Sequence, residues 1–178
     1  MGRKREVRHL RILGIDPGYA IVGYGVLDYD GYAFKTAGCG AVTTRAGADF
    51  SLRLLDIYSD ISTVIDTYKP EVMSIEKLFF NTNQKTGIDV AQARGVIVLA
   101  AVQRGLPVYE YTPLQVKQSV VGYGLAEKKQ VMEMTKNILG LSKVPKPDDT
   151  ADALALAICH GHSSKGAQIR EKAAAVQG

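Results

Sequence analysis

Near residue 48 the hydrophobic pattern of the chain changes period. Before it, LRILGID (10–16), IVGYGVLDYDG (21–31) and YAFKTAGCGAVTT (32–44) are short runs rich in branched and aromatic residues, the pattern of β-strands. Asp30-Gly31 between the second and third favours a tight type I′ hairpin, so three sequential antiparallel strands are expected. After residue 48, Leu52, Leu55, Ile61 and Ile65 recur at helical spacing from Ala48 to about Tyr68, and Lys69-Pro70 stops that element. VMSIE (72–76) reads as a buried strand, about Ile88 to Arg104 as a long apolar helix stopped by Gly105, and PVYE (107–110) as a short strand. A short helical piece, a Gly122-Tyr123-Gly124 hinge, a helix over about 126–139, the loop SKVPKPDD and a last helix from Asp149 through about His160 follow. Three antiparallel strands and then strands alternating with helices define an α/β arrangement around one mixed five-stranded sheet.

A chain of 178 residues, 46% hydrophobic and 22% charged, has the size of one domain and too much apolar content for disorder. No apolar run reaches the roughly 18 residues that cross a bilayer, and the basic start MGRKREVRHLR is not followed by the apolar region of a secretion signal. A cytoplasmic location is therefore expected. Cys39 and Cys159 stand in apolar stretches without a CxxC partner and read as small reduced core residues, which excludes a zinc site or a disulfide framework.

The net charge of +4 resembles a nucleic-acid signal until it is located. Arg3, Lys4, Arg5, Arg8 and Arg11 against Glu6 place all of it in residues 1–11, and the remainder is formally balanced. One internal segment is different. Residues 112–143 hold Lys117, Lys128, Lys129, Lys136 and Lys143 against Glu127 and Glu133, either a surface for a phosphate backbone or a solvated helix face.

Four acids stand out by position. Asp16 ends the first strand and Glu76 the fourth, where α/β sheets place ligand-handling groups. Asp149 and Asp152, three residues apart, share one face of a first helical turn. Each has a plainer role available: Asp16 in a turn before Pro17-Gly18, Asp149 as a helix cap, Glu76 in an ion pair. Asp152 has fewer, because the AlaLeuAlaLeuAlaIle that follows it is apolar on several sides and its charge needs a partner or a metal. If the first and fourth strands are neighbours and the last helix crosses them, the four converge. Crowded carboxylates repel one another unless a cation is present, and an all-oxygen set points to Mg²⁺ or Mn²⁺. Two such ions suit in-line displacement at a phosphodiester. His160 and His162 lie too far along the last helix to join the acids and read as C-terminal residues favoured by the helix dipole.

LGIDPG (13–18) with GYG (23–25), SIEKLFFN (74–81), QARGV (92–96), QVKQSVVGYGLAEKKQV (115–131) and DDTADALALAICH (148–160) together resemble the RuvC family of Holliday-junction resolvases. GIDPG alone also opens actin-like and sugar-kinase ATPases, but no second glycine-rich phosphate loop of DxGG type accompanies it here. The resemblance implies a ribonuclease-H-like nuclease domain over 10–162, with a basic extension at 1–9 and a polar tail at 163–178. It implies that Asp16, Glu76, Asp149 and Asp152 bind two Mg²⁺ ions, with Mn²⁺ as a substitute. It assigns base contact to Phe79 and contact with DNA or the scissile phosphate to Lys117 and Lys128. It further implies a homodimer that nicks two strands of a four-way junction symmetrically and works with a branch-migration complex of RuvA and RuvB type proteins. Phe80 either stacks with Phe79 against bases or packs under its loop. The apolar helix at 96–102 lies either in a dimer interface or between layers of one subunit. The basic extension and Asp89, read as a first-turn helix acid, depart from the family pattern.

Overall fold

Five strands form one mixed sheet in the computed structural model, which describes residues 9–79 and 84–176. The elements are β1 (Leu10–Asp16), β2 (Ile21–Tyr29), β3 (Phe34–Thr43), α1 (Phe50–Tyr68), β4 (Val72–Glu76), α2 (Gln84–Gln103), β5 (Val108–Tyr111), α3 (Pro113–Val121), α4 (Lys128–Ile138) and α5 (Asp148–Val176). The strand order is β3-β2-β1-β4-β5. β1, β2 and β3 pair antiparallel, and β1 with β4 and β4 with β5 pair parallel. Strands β1 and β4 are therefore direct neighbours, as convergence of the acids requires.

Strand alternation gives the sheet two different faces. Leu13, Ile15, Val22, Val26, Met73 and Ile75 pack with Ile57 and Ile61 of α1 and Ala93, Ile97 and Ala101 of α2. Ile12, Leu27 and Val72 face the other way, against Val120 of α3, Val131 of α4 and Leu154, Ala157 and Ile158 of α5. From Ala151 to Gly161 every residue of α5 except Asp152 is buried. Such enclosure requires the helix to lie almost on the strands, and small residues allow it. A Cβ on Gly14 would overlap the Ala153 carbonyl and lie 2.9 Å from the Ala157 nitrogen, and one on Gly25 would lie 2.6 Å from Leu154 Cδ2. Ser74, fully buried on β4, donates its Oγ proton to the Leu156 carbonyl at 2.7 Å and ties the middle of α5 to the sheet.

Local chemistry explains the element ends. Asp49 caps α1 by accepting from the Ser51 amide, and Lys69 ends it in the left-handed region ahead of Pro70. Thr112 and Gln115 form a capping box at the start of α3, and Glu127 and Gln130 one at α4.

Several expectations are corrected. The β2–β3 connection is a four-residue loop, not a two-residue type I′ turn. Only Gly31 of its first pair has positive φ, while the Asp30 side chain accepts from the Tyr32 and Ala33 amides and widens the turn. Helix α2 starts at Gln84 rather than near Ile88, because Gln and Lys favour helix as well as the apolar residues do. Asp89 therefore sits in its second turn. Helix α5 continues to Val176 instead of ending near His160. Gly161 is a close-packing position, where a Cβ would lie 2.6 Å from Phe34 Cζ, and the Ala, Lys, Glu, Gln and Arg beyond it sustain the helix. Cys39 is exposed, because β3 is an edge strand, whereas Cys159 is buried. Residues 1–8 of the basic extension, and Phe80, lie outside the described residues. No helix among the described residues is long and apolar enough to cross a membrane.

Candidate active site

Asp16 and Glu76 end β1 and β4 on the face that α5 covers, since they share alternation parity with Gly14 and Ser74. Asp152 projects from α5 toward the same end. These three acids line a cavity of about 330 Å³ together with Lys117 of α3 and Lys128 of α4, and Val116, Val131 and Leu156 form its apolar wall. The position of Asp149 depends on Gly23, the residue paired with Asp16 across β1–β2. A Cβ on Gly23 would overlap the Asp149 carbonyl and lie 2.9 Å from the Thr150 nitrogen. Asp149 thus rides over the strand beside Asp16. It does not line the cavity, yet its charge reaches both Asp16 and Asp152.

The electrostatics are those of an acid cluster drawn partly out of water. Burial pushes the Asp16 carboxyl up to about 8, reinforced by the charges of Asp152, Glu76 and Asp149 and opposed by Lys128. Glu76 is raised by burial and then by Asp152. Asp152 is raised by burial, against the pull of Lys128. The Lys128 ammonium lies 2.9 Å from Asp152 Oδ2, which raises its own pKa and keeps it charged. Among the described residues no three His, Cys, Asp or Glu side chains approach closely enough to share one ion; the positive charge at Asp152 is the ammonium. The donor set still suits a hard divalent cation: oxygen ligands only, and a raised Asp16 that such an ion would return to its charged form.

The raised Asp16 has a measurable consequence. Its carboxyl titrates near 8 in the fold and near 3.9 in an unfolded chain. Between those values the unfolded chain has released a proton that the folded one retains, so rising pH favours unfolding. In EDTA, stability is expected to fall by roughly 1–2 kcal/mol between pH 6.5 and 8.5, about 3–6 °C in the thermal midpoint. Asp16→Asn should flatten that slope. An equally steep slope in the variant would show that Asp16 is not its source.

Two residues that sequence reasoning left without a role hold the site in place. Arg94 of α2, inside the QARGV string, donates Nε–H to the Glu76 carbonyl at 3.3 Å and also pairs with Glu110 of β5. It joins the ends of β4 and β5 just where Glu76 enters the cavity. Ser74, two residues before Glu76, fixes α5 along β4. The only sequence signal was a polar residue inside a buried strand and an arginine inside an apolar helix. His160 and His162 are not at a helix end. His160 is buried, with Nδ1 2.8 Å from the Tyr111 hydroxyl, and burial pushes its pKa down to about 4. His162 packs edge-on against Phe34. Asp148 pairs with Lys146 at 2.6 Å, outside the cavity. Phe79, three residues beyond Glu76, is 54% exposed.

A mixed sheet of this order with acids at the ends of adjacent β1 and β4, met by an acid of the crossing helix, defines a nuclease of ribonuclease-H-like fold. The family described as "Crossover junction endodeoxyribonuclease RuvC" matches residues 12–160, and the chain belongs to that family. The RuvC of Clostridioides difficile is 59% identical over 154 residues, covering 86% of this chain and 91% of that protein. That of Caldanaerobacter subterraneus subsp. tengcongensis is 55% identical over 155 residues, covering 87% and 94%. Among solved structures, Thermus thermophilus RuvC in complex with Holliday junction substrate superposes with a TM-score of 0.85 at 33% identity, covering 89% of this chain and 97% of that one. Membership in the family implies a divalent metal cofactor.

Proposed function

We propose that this chain resolves four-way DNA junctions as a homodimer, with Asp16, Glu76, Asp149 and Asp152 of each subunit holding two Mg²⁺ ions, for which Mn²⁺ substitutes. The observation that carries this reading is the single cavity in which Asp16, Glu76 and Asp152 meet Lys117 and Lys128. When bound, two divalent ions supply an activated water and stabilise the leaving oxygen of an in-line phosphodiester displacement. The chain's own residues do the rest. Asp16 and Glu76 are held at strand ends on a rigid sheet, and Ser74 and Arg94 keep α5 and the end of β4 in register. Lys117 and Lys128 face the cavity with cations suited to a phosphate.

Phe79 suits base contact because a large apolar side chain stands exposed three residues beyond Glu76 in the chain. Phe79→Ala is expected to lower junction cleavage roughly 10- to 100-fold, the loss of one base–aromatic stack, with Phe79→Trp retaining most activity. Equal losses in both variants would assign Phe79 to packing instead.

The dimer has its own support in α2. Ala93, Ile97, Ala100 and Ala101 are buried against the sheet. Ile88, Gln92, Gly95, Leu99 and Val102 form a second, exposed stripe at near-heptad spacing. The helix is apolar around most of its circumference because it has two faces to cover, and pairing with a second copy covers the outer one. Two subunits then present two active sites to two strands. A branch-migration complex of RuvA and RuvB type, and a cytoplasmic location, rest on family membership. The test is a synthetic four-way junction incubated with Mg²⁺. Symmetric paired nicks, absent from linear duplex of the same sequence, are expected, and failure to cut the junction would overturn the reading.

A further inference from the structure

Lys128 is placed where a lysine has little reason to be unless the acids hold it. It is the first residue of α4, and a helix N-terminus repels cations. Its side chain is 59% exposed, so the fold leaves it free to turn into water. It turns inward, with its ammonium 2.9 Å from Asp152 Oδ2, in the cavity that Asp16 and Glu76 also line. Lys117 lines the same cavity but makes no ion pair with these acids among the described residues.

We propose that Lys128 is an internal counter-cation that exchanges with the metal. Without metal it neutralises Asp152. When divalent ions take the acids, their charge cancels the attraction that held the ammonium, and Lys128 swings, still protonated, to the cavity mouth. Its flexible four-carbon stem makes that movement inexpensive. There it is available to a DNA phosphate. One lysine thus makes metal binding and DNA binding mutually favourable, and linkage requires the coupling to be equal in both directions. This inference rests on the reading of the acids as a metal site.

Calorimetric titration of the full chain with Ca²⁺, without DNA, tests it. Lys128 and the ion compete for Asp152, so Lys128→Met is expected to bind Ca²⁺ about three- to tenfold more tightly than wild type, the size of one ion pair with a partly buried partner. Lys128→Arg, which restores the competing charge, should return the affinity to the wild-type value. Lys117→Met should change it by less than about twofold, since a cation without an ion pair contributes only through the screened field. Junction affinity of wild type should rise when Ca²⁺ is added, and that gain should shrink in Lys128→Met. Unchanged or weaker Ca²⁺ binding by Lys128→Met, beside normal uptake by wild type, would overturn the exchange and leave the metal site standing. No Ca²⁺ uptake by wild type would overturn the metal site itself, and the exchange with it.

Discussion

Asp16→Asn is expected to lower the rate of junction cleavage in Mg²⁺ by at least about 10³-fold, because a metal clamp supplies several kcal/mol of transition-state stabilisation. Asp152→Asn should do the same. Neither change should weaken junction binding. Each removes a negative charge from a cavity that must accept a polyanion, so affinity measured in EDTA, against wild type in EDTA, is expected to hold or rise. The two variants differ in a way the structure makes specific. Asp16 is enclosed by burial and by three acids, so its amide form relieves repulsion and stabilises the metal-free protein. Asp152 carries the ion pair with Lys128, so its amide form releases that lysine without any metal. Asp152→Asn should therefore bind junction DNA in EDTA nearly as well as wild type does in Ca²⁺. Quantitative cleavage and binding curves on one four-way junction distinguish these outcomes. Loss of binding together with cleavage in both variants would show the acids acting as structural supports and not as metal ligands.

The parts of the site that were legible in the sequence are those set by local pattern. Asp16 and Glu76 follow apolar runs of strand length and precede loop-forming residues, and strand ends are where the sheet presents side chains to a ligand. Asp152 was legible from incongruity, a charge at the head of an apolar helix. Pairing between β1 and β4 entered only as a condition: a helix returning to the sheet makes the next strand parallel to an existing one without saying which, and the structure supplies the neighbour. What was illegible depends on contacts far apart in the chain. Arg94 reaches the Glu76 carbonyl, and Ser74 reaches the Leu156 carbonyl; acceptors of this kind leave no trace in composition or spacing. The expected end of the last helix near His160 was wrong for a similar reason: the next residue, Gly161, is small because it packs against Phe34, and the helix runs on through it. His160 was misread with it, since a residue taken to end a helix is in fact buried in the middle of one.

The glycines of β1 and β2 carry the second large effect, because they set the distance between the sheet and the helix that bears two of the acids. Gly23→Ala would drive a methyl group into the Asp149 carbonyl, with the Thr150 nitrogen 2.9 Å away, and Gly14→Ala would drive one into the Ala153 carbonyl, with the Ala157 nitrogen 2.9 Å away. Both obstacles are backbone, so no side-chain rotation relieves them and α5 must move. Either variant is expected to lose about 3 kcal/mol or more, at the upper end of overpacking costs, which is roughly 6–12 °C in the thermal midpoint. The two should differ at the site. Gly14 meets α5 beyond Asp152, whereas Gly23 meets Asp149 itself, opposite Asp16. Gly23→Ala is therefore expected to weaken Ca²⁺ binding more than Gly14→Ala does at equal loss of stability. Thermal unfolding and Ca²⁺ titration of both proteins measure the two effects separately, and variants as stable as wild type would mean that α5 does not lie against these strands. A family resemblance explains the presence of GYG and LGIDPG; contact between Gly23 and Asp149 explains why a single methyl group there reaches the chemistry.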